Sequence, residues 1–254
     1  MSGRATAGGE SAGLRPTAGG ESREAAGGAG AASAAGPTVS DRALAAWEIT
    51  TVVVSVLVAE WVVLSVGGES RLLMLVPVAF AFAFMFYSHR QRGETMRQLG
   101  FRLDNFGAAM RLLLKLFAAP ALALLLYGWL AGNLDPARWR GGQSILGVPA
   151  LGVLWGLLQQ YALQGFIHRR ALAVWGVGRK STLVTALVFA FLHFPNPWLT
   201  LATFLGGLVW AHAYQRVPNL YAAGLTHGMM TWVLIASVPP PLLNNLRVGY
   251  KFFG

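Results

Sequence analysis

The chain has 254 residues, of which 55% are hydrophobic and 12% charged, and its formal net charge is +10. Soluble domains carry about 25% charged residues, so the composition excludes an ordinary soluble or disordered protein and argues against nucleic-acid binding despite the positive charge. The absence of cysteine excludes disulfides, thiolate metal sites and a cysteine nucleophile.

Residues 1–40 are predicted to form a disordered tail. This stretch consists largely of Gly, Ala, Ser and Thr, contains the string TAGGES twice, and holds three arginines and three glutamates. Such a composition buries too little apolar surface to offset the entropy lost on ordering. No apolar stretch follows a charged start, so we do not expect a secretory signal.

Residues 41–254 are predicted to form an all-α, polytopic transmembrane bundle of about seven spans. A helix of about 20 apolar residues crosses a bilayer core about 30 Å thick. Lipid offers the backbone no hydrogen-bond partner, so each apolar run is interpreted as a helix. We expect the fourth helix to continue to about residue 176, which brings its glutamines and His193 to similar depths. The predicted spans are 46–66, 72–87, 112–131, 146–166, 181–194, 198–215 and 220–238.

Basic residues in the connecting loops predict how the bundle is oriented. The loops 88–111 and 167–180 are rich in Lys and Arg, and Arg216 follows the sixth span. All three lie on one side of the membrane, and basic loops are typical of the cytoplasmic side. We therefore expect a multi-pass protein of the cell membrane with a cytoplasmic N-terminus. Membrane lipid is the expected partner, and topology accounts for the positive charge without nucleic acid.

Few polar side chains lie inside the predicted spans, and such residues usually have a function. The first span holds Glu48, expected to be solvated near the interface, and Glu60 at greater depth; the chain has no Asp or Glu after Asp135. Other polar or motif residues recur four positions apart, which places each pair on one helix face. The three pairs are Gln160 with Gln164, Phe189 with His193, and His227 with Thr231. They predict a polar pocket lined by Gln159, Gln160, His193 and His227.

A metal centre is not expected in this pocket, and no cofactor is predicted. The only available ligands would be His193, His227 and His212, with no carboxylate or thiolate beside them. The H-E-x-x-H motif of zinc proteases and the Gly-x-Ser-Gly element of serine-type intramembrane proteases are both absent.

The stretch 145–235 resembles the CPBP family (CaaX proteases and bacteriocin-processing proteins, also called Abi), which are membrane-embedded glutamic endopeptidases. The family motifs are Glu-Glu-x-x-x-Arg followed by Gly, then Phe-x-x-x-His, then His-x-x-x-Asn. At the same spacing and in the same order the chain has Gln159, Gln160, Gln164 and Gly165, then Phe189 and His193, then His227 and Thr231. The resemblance implies hydrolysis of a peptide or protein substrate at the membrane.

The first motif departs from the family pattern in a coordinated way. In the family, the first glutamate and the motif histidines are thought to activate water, and the asparagine to help stabilise the oxyanion. A glutamine amide cannot accept and return a proton, so Gln159 cannot be the base. Glu60 is the only carboxylate deep in a predicted span, and two roles are open for it. It either replaces the glutamate as the base, or it hydrogen-bonds to the glutamine pair or a backbone carbonyl and only holds helices together. His193 and His227 would then bind and activate water or the oxyanion, while Gln159 and Gln160 position the substrate.

Three functions remain open from the sequence. The first is an intramembrane endopeptidase with a rearranged polar site. The second is a catalytically inactive family member, a pseudoenzyme that binds a membrane peptide or a lipidated chain end. The third is a small transporter or proton relay that uses Glu60 and the histidines, although no inverted repeat is visible.

Overall fold

The computed structural model describes residues 38–66, 71–138 and 149–254. The predicted tail therefore lies almost wholly outside the described residues, as does the break predicted at Gly141-Gly142. The described residues form seven long helices and contain no β-strand, so the all-α fold is confirmed. In chain order the helices are α1 (Val39–Val66), α2 (Arg71–Gln91), α3 (Phe106–Leu130), α4 (Pro149–Gln160, Tyr161–His168 and Arg169–Trp175 without a break), α5 (Arg179–Phe191), α6 (Pro197–Arg216) and α7 (Leu220–Ser237).

Two of the described helices, α1 and α3, are long and apolar enough to cross a membrane. Only 22% and 17% of their most apolar windows are buried within the protein, so both helices turn most of their apolar surface outward. Large exposed apolar surface marks contact with lipid or another protein. The structure thus supports two candidate spans, while the count of seven spans and the cytoplasmic N-terminus stay predictions.

Side-chain caps and a glycine explain where several helices begin and end. Thr38 and Asp41 form a capping box at the start of α1, each side chain accepting the other residue's backbone N–H. Asn196 and Asn219 cap α6 and α7 by accepting N–H groups of the first turn. Gly176, with φ of +77°, terminates α4. The predicted continuation of α4 to about residue 176 is therefore confirmed.

Two boundaries differ from those predicted. The basic loop 88–111 is shorter than expected, because α2 runs to Gln91 and α3 begins at Phe106, so Arg90 and Arg111 are helical. His193 does not end a helix, because α5 stops at Phe191 and His193 lies in the turn that follows. In both cases the apolar pattern located the helix but not its terminal turns.

Wide π-helical turns interrupt α1 and α4. They span Val58–Val63 and Tyr161–His168, so the first contains Glu60 and the second contains Gln164. A π turn changes which side chains share a helix face, and such turns are frequent at functional sites. Periodicity at 3.6 residues per turn does not reveal them, and neither was predicted.

Helix packing brings the polar positions of α4, α5 and α7 to a common region. The first part of α4 packs along α7, α5 packs along α6, and α3 packs along α7. Phe117, Phe189 and Trp210 belong to the apolar cluster between these helices. At the other end, α1 packs against α2 and against the last turns of α4.

Residues 239–254, here called the C-terminal segment, connect α1 to the turn after α5. The segment contains the short helices Pro240–Leu243, Asn244–Leu246 and Gly249–Phe252. Gly249 has φ of +56°, a region that favours glycine, and a Cβ there would lie 2.8 Å from the carbonyl oxygen of Glu60. Its N–H donates to the carbonyl of Phe194 at 3.0 Å. The segment therefore fixes the Glu60 turn against the residue that follows His193.

Candidate functional site

The best-defined polar contact inside the bundle joins Gln160 of α4 to His227 of α7. The Gln160 Nε2 atom lies 2.9 Å from His227 Nδ1, and both side chains are buried. With the amide nitrogen donating, Nδ1 accepts and the proton of the neutral imidazole resides on Nε2. The His227 ring also stacks on Trp210, with centroids 4.8 Å apart and an interplanar angle of 14°. His227 is thus held by stacking on Trp210 and by a hydrogen bond at Nδ1.

Glycines on α4 and α7 make this contact possible. A Cβ on Gly156 would lie 2.8 Å from the carbonyl oxygen of Gly224, and a Cβ on Gly224 would lie 2.7 Å from the Cα of Leu157. Small residues let membrane helices approach closely, and Gly224 with Gly228 forms a G-x-x-x-G pattern. Gly156 lies four residues before Gln160, so this contact sets the distance between the amide and the imidazole.

The two ring nitrogens of His193 have the opposite hydrogen-bonding roles from those of His227. Its Nδ1 lies 2.7 Å from the carbonyl oxygen of Phe189, and a carbonyl can only accept, so Nδ1 donates and Nε2 keeps a lone pair. The Phe189 ring centroid lies 4.8 Å from that of His193 and 5.9 Å from that of His227. The two imidazoles are therefore no farther apart than the sum of these distances, about 10.7 Å. One imidazole can accept a hydrogen bond at Nε2 and the other can donate one.

The remaining motif residues occupy different environments. Gln159 is half-buried, and its Oε1 has no partner among the described residues. Gln164 is fully buried, and both of its amide atoms lack a protein partner in the described ranges. Thr231 is half-buried on α7. The structure therefore joins Gln160, Phe189, His193 and His227 through direct contacts or shared rings, and gives no such contact for Thr231.

Glu60 lies near the histidine-bearing turn but does not bond to it. Its Oε2 atom is buried and has no hydrogen-bond partner among residues 38–66, 71–138 and 149–254. Trp61, its neighbour, stacks on Phe194 with centroids 6.3 Å apart, and Gly249 touches both Glu60 and Phe194. Glu60 is thus connected to His193 through adjacent residues, and its role as a base stays a prediction.

Glu48 is buried and ion-paired, which corrects the expectation that it is solvated. It is 6% exposed and lies 2.7 Å from Arg92 Nη2 and 2.9 Å from Arg170 Nε. The Ser88 hydroxyl also donates to it. The expectation failed because the partners come from α2, the turn that follows it and α4, 40 or more positions away in sequence.

Glu94 completes a buried group of charges with the same arginine. Its carboxylate contacts Arg169 Nη2 at 2.6 Å, Arg170 Nη2 at 2.9 Å and His89 Nδ1 at 2.6 Å. Burial opposes ionisation of Glu94, but the hydrogen bonds from His89, Arg170 and Arg169 outweigh it and hold the pKa of Glu94 well below its usual range. We name the ion-pair cluster as Glu48, Ser88, His89, Arg92, Glu94, Arg169 and Arg170.

Two further features were not predicted from the sequence. Arg170, which was interpreted with the other loop arginines as a topology signal, is only 2% exposed. His168 is fully buried and follows Gln164 by four residues. Extending the four-residue spacing of Gln160 and Gln164 by one step would have found it. In the described part of the chain, no three His, Asp or Glu side chains come together as a metal site requires.

Comparison with known proteins identifies the region that carries these motifs. Residues 141–233 match the model of a family described as type II CAAX prenyl endopeptidase Rce1-like. This segment is Rce1-like. The resemblance inferred from the motifs is thereby confirmed, and the matched segment contains the motif residues from Gln159 to Thr231 but not Glu60. No curated protein and no solved structure is significantly similar to the chain.

Proposed function

We propose that the protein is an intramembrane endopeptidase of the CaaX-protease type that cleaves a peptide or protein substrate at the membrane. The Rce1-like match over residues 141–233 supports this at the level of the family. The observation that carries the proposal is that the two motif histidines beside Phe189 have complementary hydrogen-bonding roles at Nε2. Nε2 of His193 is an acceptor and Nε2 of His227 is a donor.

In this proposal the two imidazoles divide the work of peptide hydrolysis. Nε2 of His193 takes a proton from water while the water oxygen attacks the peptide carbonyl carbon. The N–H of His227 donates to the oxyanion that forms on the carbonyl oxygen. When the C–N bond breaks, His193 returns the proton to the leaving nitrogen, giving a carboxylic acid and an amine. Gln160 fixes the tautomer of His227 through its amide nitrogen.

Gln159 and Glu60 have supporting roles in this proposal. The unpartnered Oε1 of Gln159 is suited to accept a hydrogen bond from a peptide N–H, which would orient the substrate. Glu60 is the second candidate for the base, because no other carboxylate lies in the interior of a predicted span. The buried Oε2 atom of Glu60 has no hydrogen-bond partner among the described residues, which favours His193 as the primary proton acceptor.

The test is release of a processed product from candidate membrane substrates that are co-expressed or reconstituted with the full chain. His193→Ala and His227→Ala should each abolish cleavage, and His212→Ala, on α6 outside the site, is the matched control that should retain it. Cleavage that persists in both site variants would overturn the proposal. Glu60→Gln identifies the base: loss of cleavage assigns that role to Glu60, and retention leaves it with His193.

The runner-up is a pseudoenzyme that binds a membrane peptide or lipidated chain end without cutting it. The observation that favours it is the replacement of both acids and the arginine of the first motif by Gln159, Gln160 and Gln164. Under this alternative, a photo-crosslinking peptide probe would be captured by the wild-type protein, and no substrate would yield a product. His227→Ala should then reduce capture, while Glu60→Gln should change stability alone.

We also propose a multi-pass arrangement in the cell membrane with a cytoplasmic N-terminus. The chain contains no cysteine, so single introduced cysteines report topology without background. Ser40→Cys should resist a membrane-impermeant maleimide in intact cells, and Gly132→Cys, between α3 and α4, should react. The opposite pattern would reverse the proposed orientation.

A further inference from the structure

Three fully buried polar side chains follow one another along α4. Gln160, Gln164 and His168 are spaced by four residues and extend through the π-helical turn. Four of their polar atoms have no hydrogen-bond partner among the described residues: Gln160 Oε1, Gln164 Oε1, Gln164 Nε2 and His168 Nε2. Native proteins satisfy nearly all buried polar groups with protein or ordered water, so a succession of unpartnered atoms indicates a bound polar ligand. We name these three side chains the polar column.

The hydrogen-bond states of the polar column define what such a ligand must offer. The Thr185 hydroxyl donates to the carbonyl of Ser181 at 2.8 Å, so it accepts from His168 Nδ1 at 2.7 Å. His168 Nε2 is consequently an acceptor. Gln160 donates its Nε2 to His227, which leaves Oε1 as an acceptor. The polar column therefore presents three acceptors and one amide donor.

Water is the ligand that fits this set. An anion would meet three acceptors, and the polar column itself carries no carboxylate to neutralise a cation. A water molecule both donates and accepts, and buried waters usually make about three hydrogen bonds.

The spacing of the side chains is also compatible with water. On a regular helix the Cβ atoms of residues four apart lie about 5–6 Å from each other. Two hydrogen bonds of about 2.8 Å each cover a similar interval, so a single water molecule has the size that each step of the polar column calls for.

We propose that the polar column holds a chain of ordered water, with one molecule between Gln160 and Gln164 and another between Gln164 and His168. This chain leads from the residue that holds His227 toward Arg169 of the ion-pair cluster. Its use as a supply of hydrolytic water rests on the proposed endopeptidase function. The binding of water itself does not depend on that function.

The direct test is an experimental structure of the full chain at a resolution that shows ordered water, for the wild type and for Gln164→Met. The wild type should show density for two bridging waters, and the variant, whose side chain is of similar length but apolar, should lose both. A wild-type polar column whose atoms bond to protein groups, or a column without water density, would overturn the inference.

Thermal unfolding supplies a second measurement with a predicted sign. If the amide of Gln164 is bonded to water, Gln164→Met lowers the Tm by several degrees, because those bonds are lost. If the polar column is dry, removal of an unpaired buried amide keeps or raises the Tm, which would contradict the proposal. Gln215→Met is the matched control: Gln215 bonds to Gly178, Ser181 and Thr182, so its loss shows the effect of removing a satisfied glutamine.

The two proposals fail in different ways. Bridging waters in a protein that cleaves no substrate would overturn the endopeptidase function and leave the water chain intact. Cleavage by a protein whose polar column is dry would do the reverse.

Discussion

The two halves of α4 are organised by opposite kinds of chemistry. At Arg169 and Arg170 the helix enters the ion-pair cluster, where three arginines face two glutamates. At Gln159 and Gln160 the helix presents only neutral amides, and its neighbour His227 is held by one of them. The loop arginines were predicted to set the membrane topology, and the family motif has charged residues where this chain has glutamines. The buried charges are instead found at the arginines. One helix is thus fixed by ion pairs near its C-terminal end and by glycine packing and neutral hydrogen bonds in its first half.

The largest effect should come from the ion-pair cluster. Arg170→Met leaves Glu48 and Glu94 buried without their shared partner, and breaking a buried pair in this way typically costs about 3–5 kcal/mol. Arg97→Met is the matched control, because Arg97 and Asp104 are 67% and 44% exposed and such pairs contribute about 1 kcal/mol or less. Unfolding in detergent should separate the two variants clearly. Equal losses would mean that the cluster does not anchor α4.

In the half of α4 that contacts His227, stability and function should depend on the spacing between helices and not on charge. Gly156→Ala inserts a methyl group 2.8 Å from the carbonyl oxygen of Gly224, and overpacking of this kind costs about 1–3 kcal/mol. The displaced α7 should also lengthen the bond between Gln160 and His227 and reduce cleavage or ligand capture. Gly107→Ala, in the open first turn of α3, is the control, since its added methyl meets only the end of the flexible Arg111 side chain at 3.6 Å. Unchanged stability and function in Gly156→Ala would refute close packing as the basis of the site.

Acid should weaken the ion-pair cluster through Glu94. The folded-state pKa of Glu94 lies below the unfolded value of about 4.3, so its contribution is complete above that value. As the pH falls below it toward the folded pKa, stability is lost with a slope approaching about 1.4 kcal/mol per pH unit. Unfolding measured from pH 5 to pH 3 should show this slope in the wild type and a flatter one in Glu94→Gln. Parallel curves would exclude Glu94 as the acid-sensitive group.

The smallest expected effect is a coupling between two motif positions. Gln164→Arg places a cation at a fully buried position, and Gln159→Glu adds a carboxylate without a cation beside it. Burial disfavours each charge alone, whereas the double variant restores the family's pair. The double variant should be more stable than the sum of the single changes by roughly 1 kcal/mol, as measured in a double-mutant cycle. A double variant worse than that sum would show that the two positions do not face each other.

Local pattern predicted the helices, because an apolar run inside lipid has no alternative to helical hydrogen bonding. It also predicted the extension of α4 past Gln164, since depth matching required a longer helix. The π turns at Glu60 and Gln164 were not predictable, because a wide turn leaves no periodic signal in so apolar a sequence. The helix ends near Gln91 and Phe191 depend on individual turns that pattern does not resolve.

The site residues were predictable where a sequence motif fixes their spacing. They were not predictable where contacts between distant parts of the chain determine a residue's environment. Motif spacing singled out Gln160 and His227, which the fold brings to hydrogen-bond distance. The burial of Glu48 depends on Arg170, which is 122 positions later, and no local feature of either residue signals that pairing. Whether Glu60 reaches a histidine likewise depends on side-chain placement between helices, and its catalytic role remains a prediction.

The contact of Gly249 with Glu60 has a consequence for biosynthesis. The ribosome completes α1 early, but Gly249 follows Glu60 by 189 residues, and only then can it close on the Glu60 turn and bond to Phe194. Until that moment the wide turn of α1, with its carboxyl group, lacks one of its native neighbours. Synthesis of the C-terminal segment, and not insertion of α1, is therefore the step at which this side of the bundle acquires its final form.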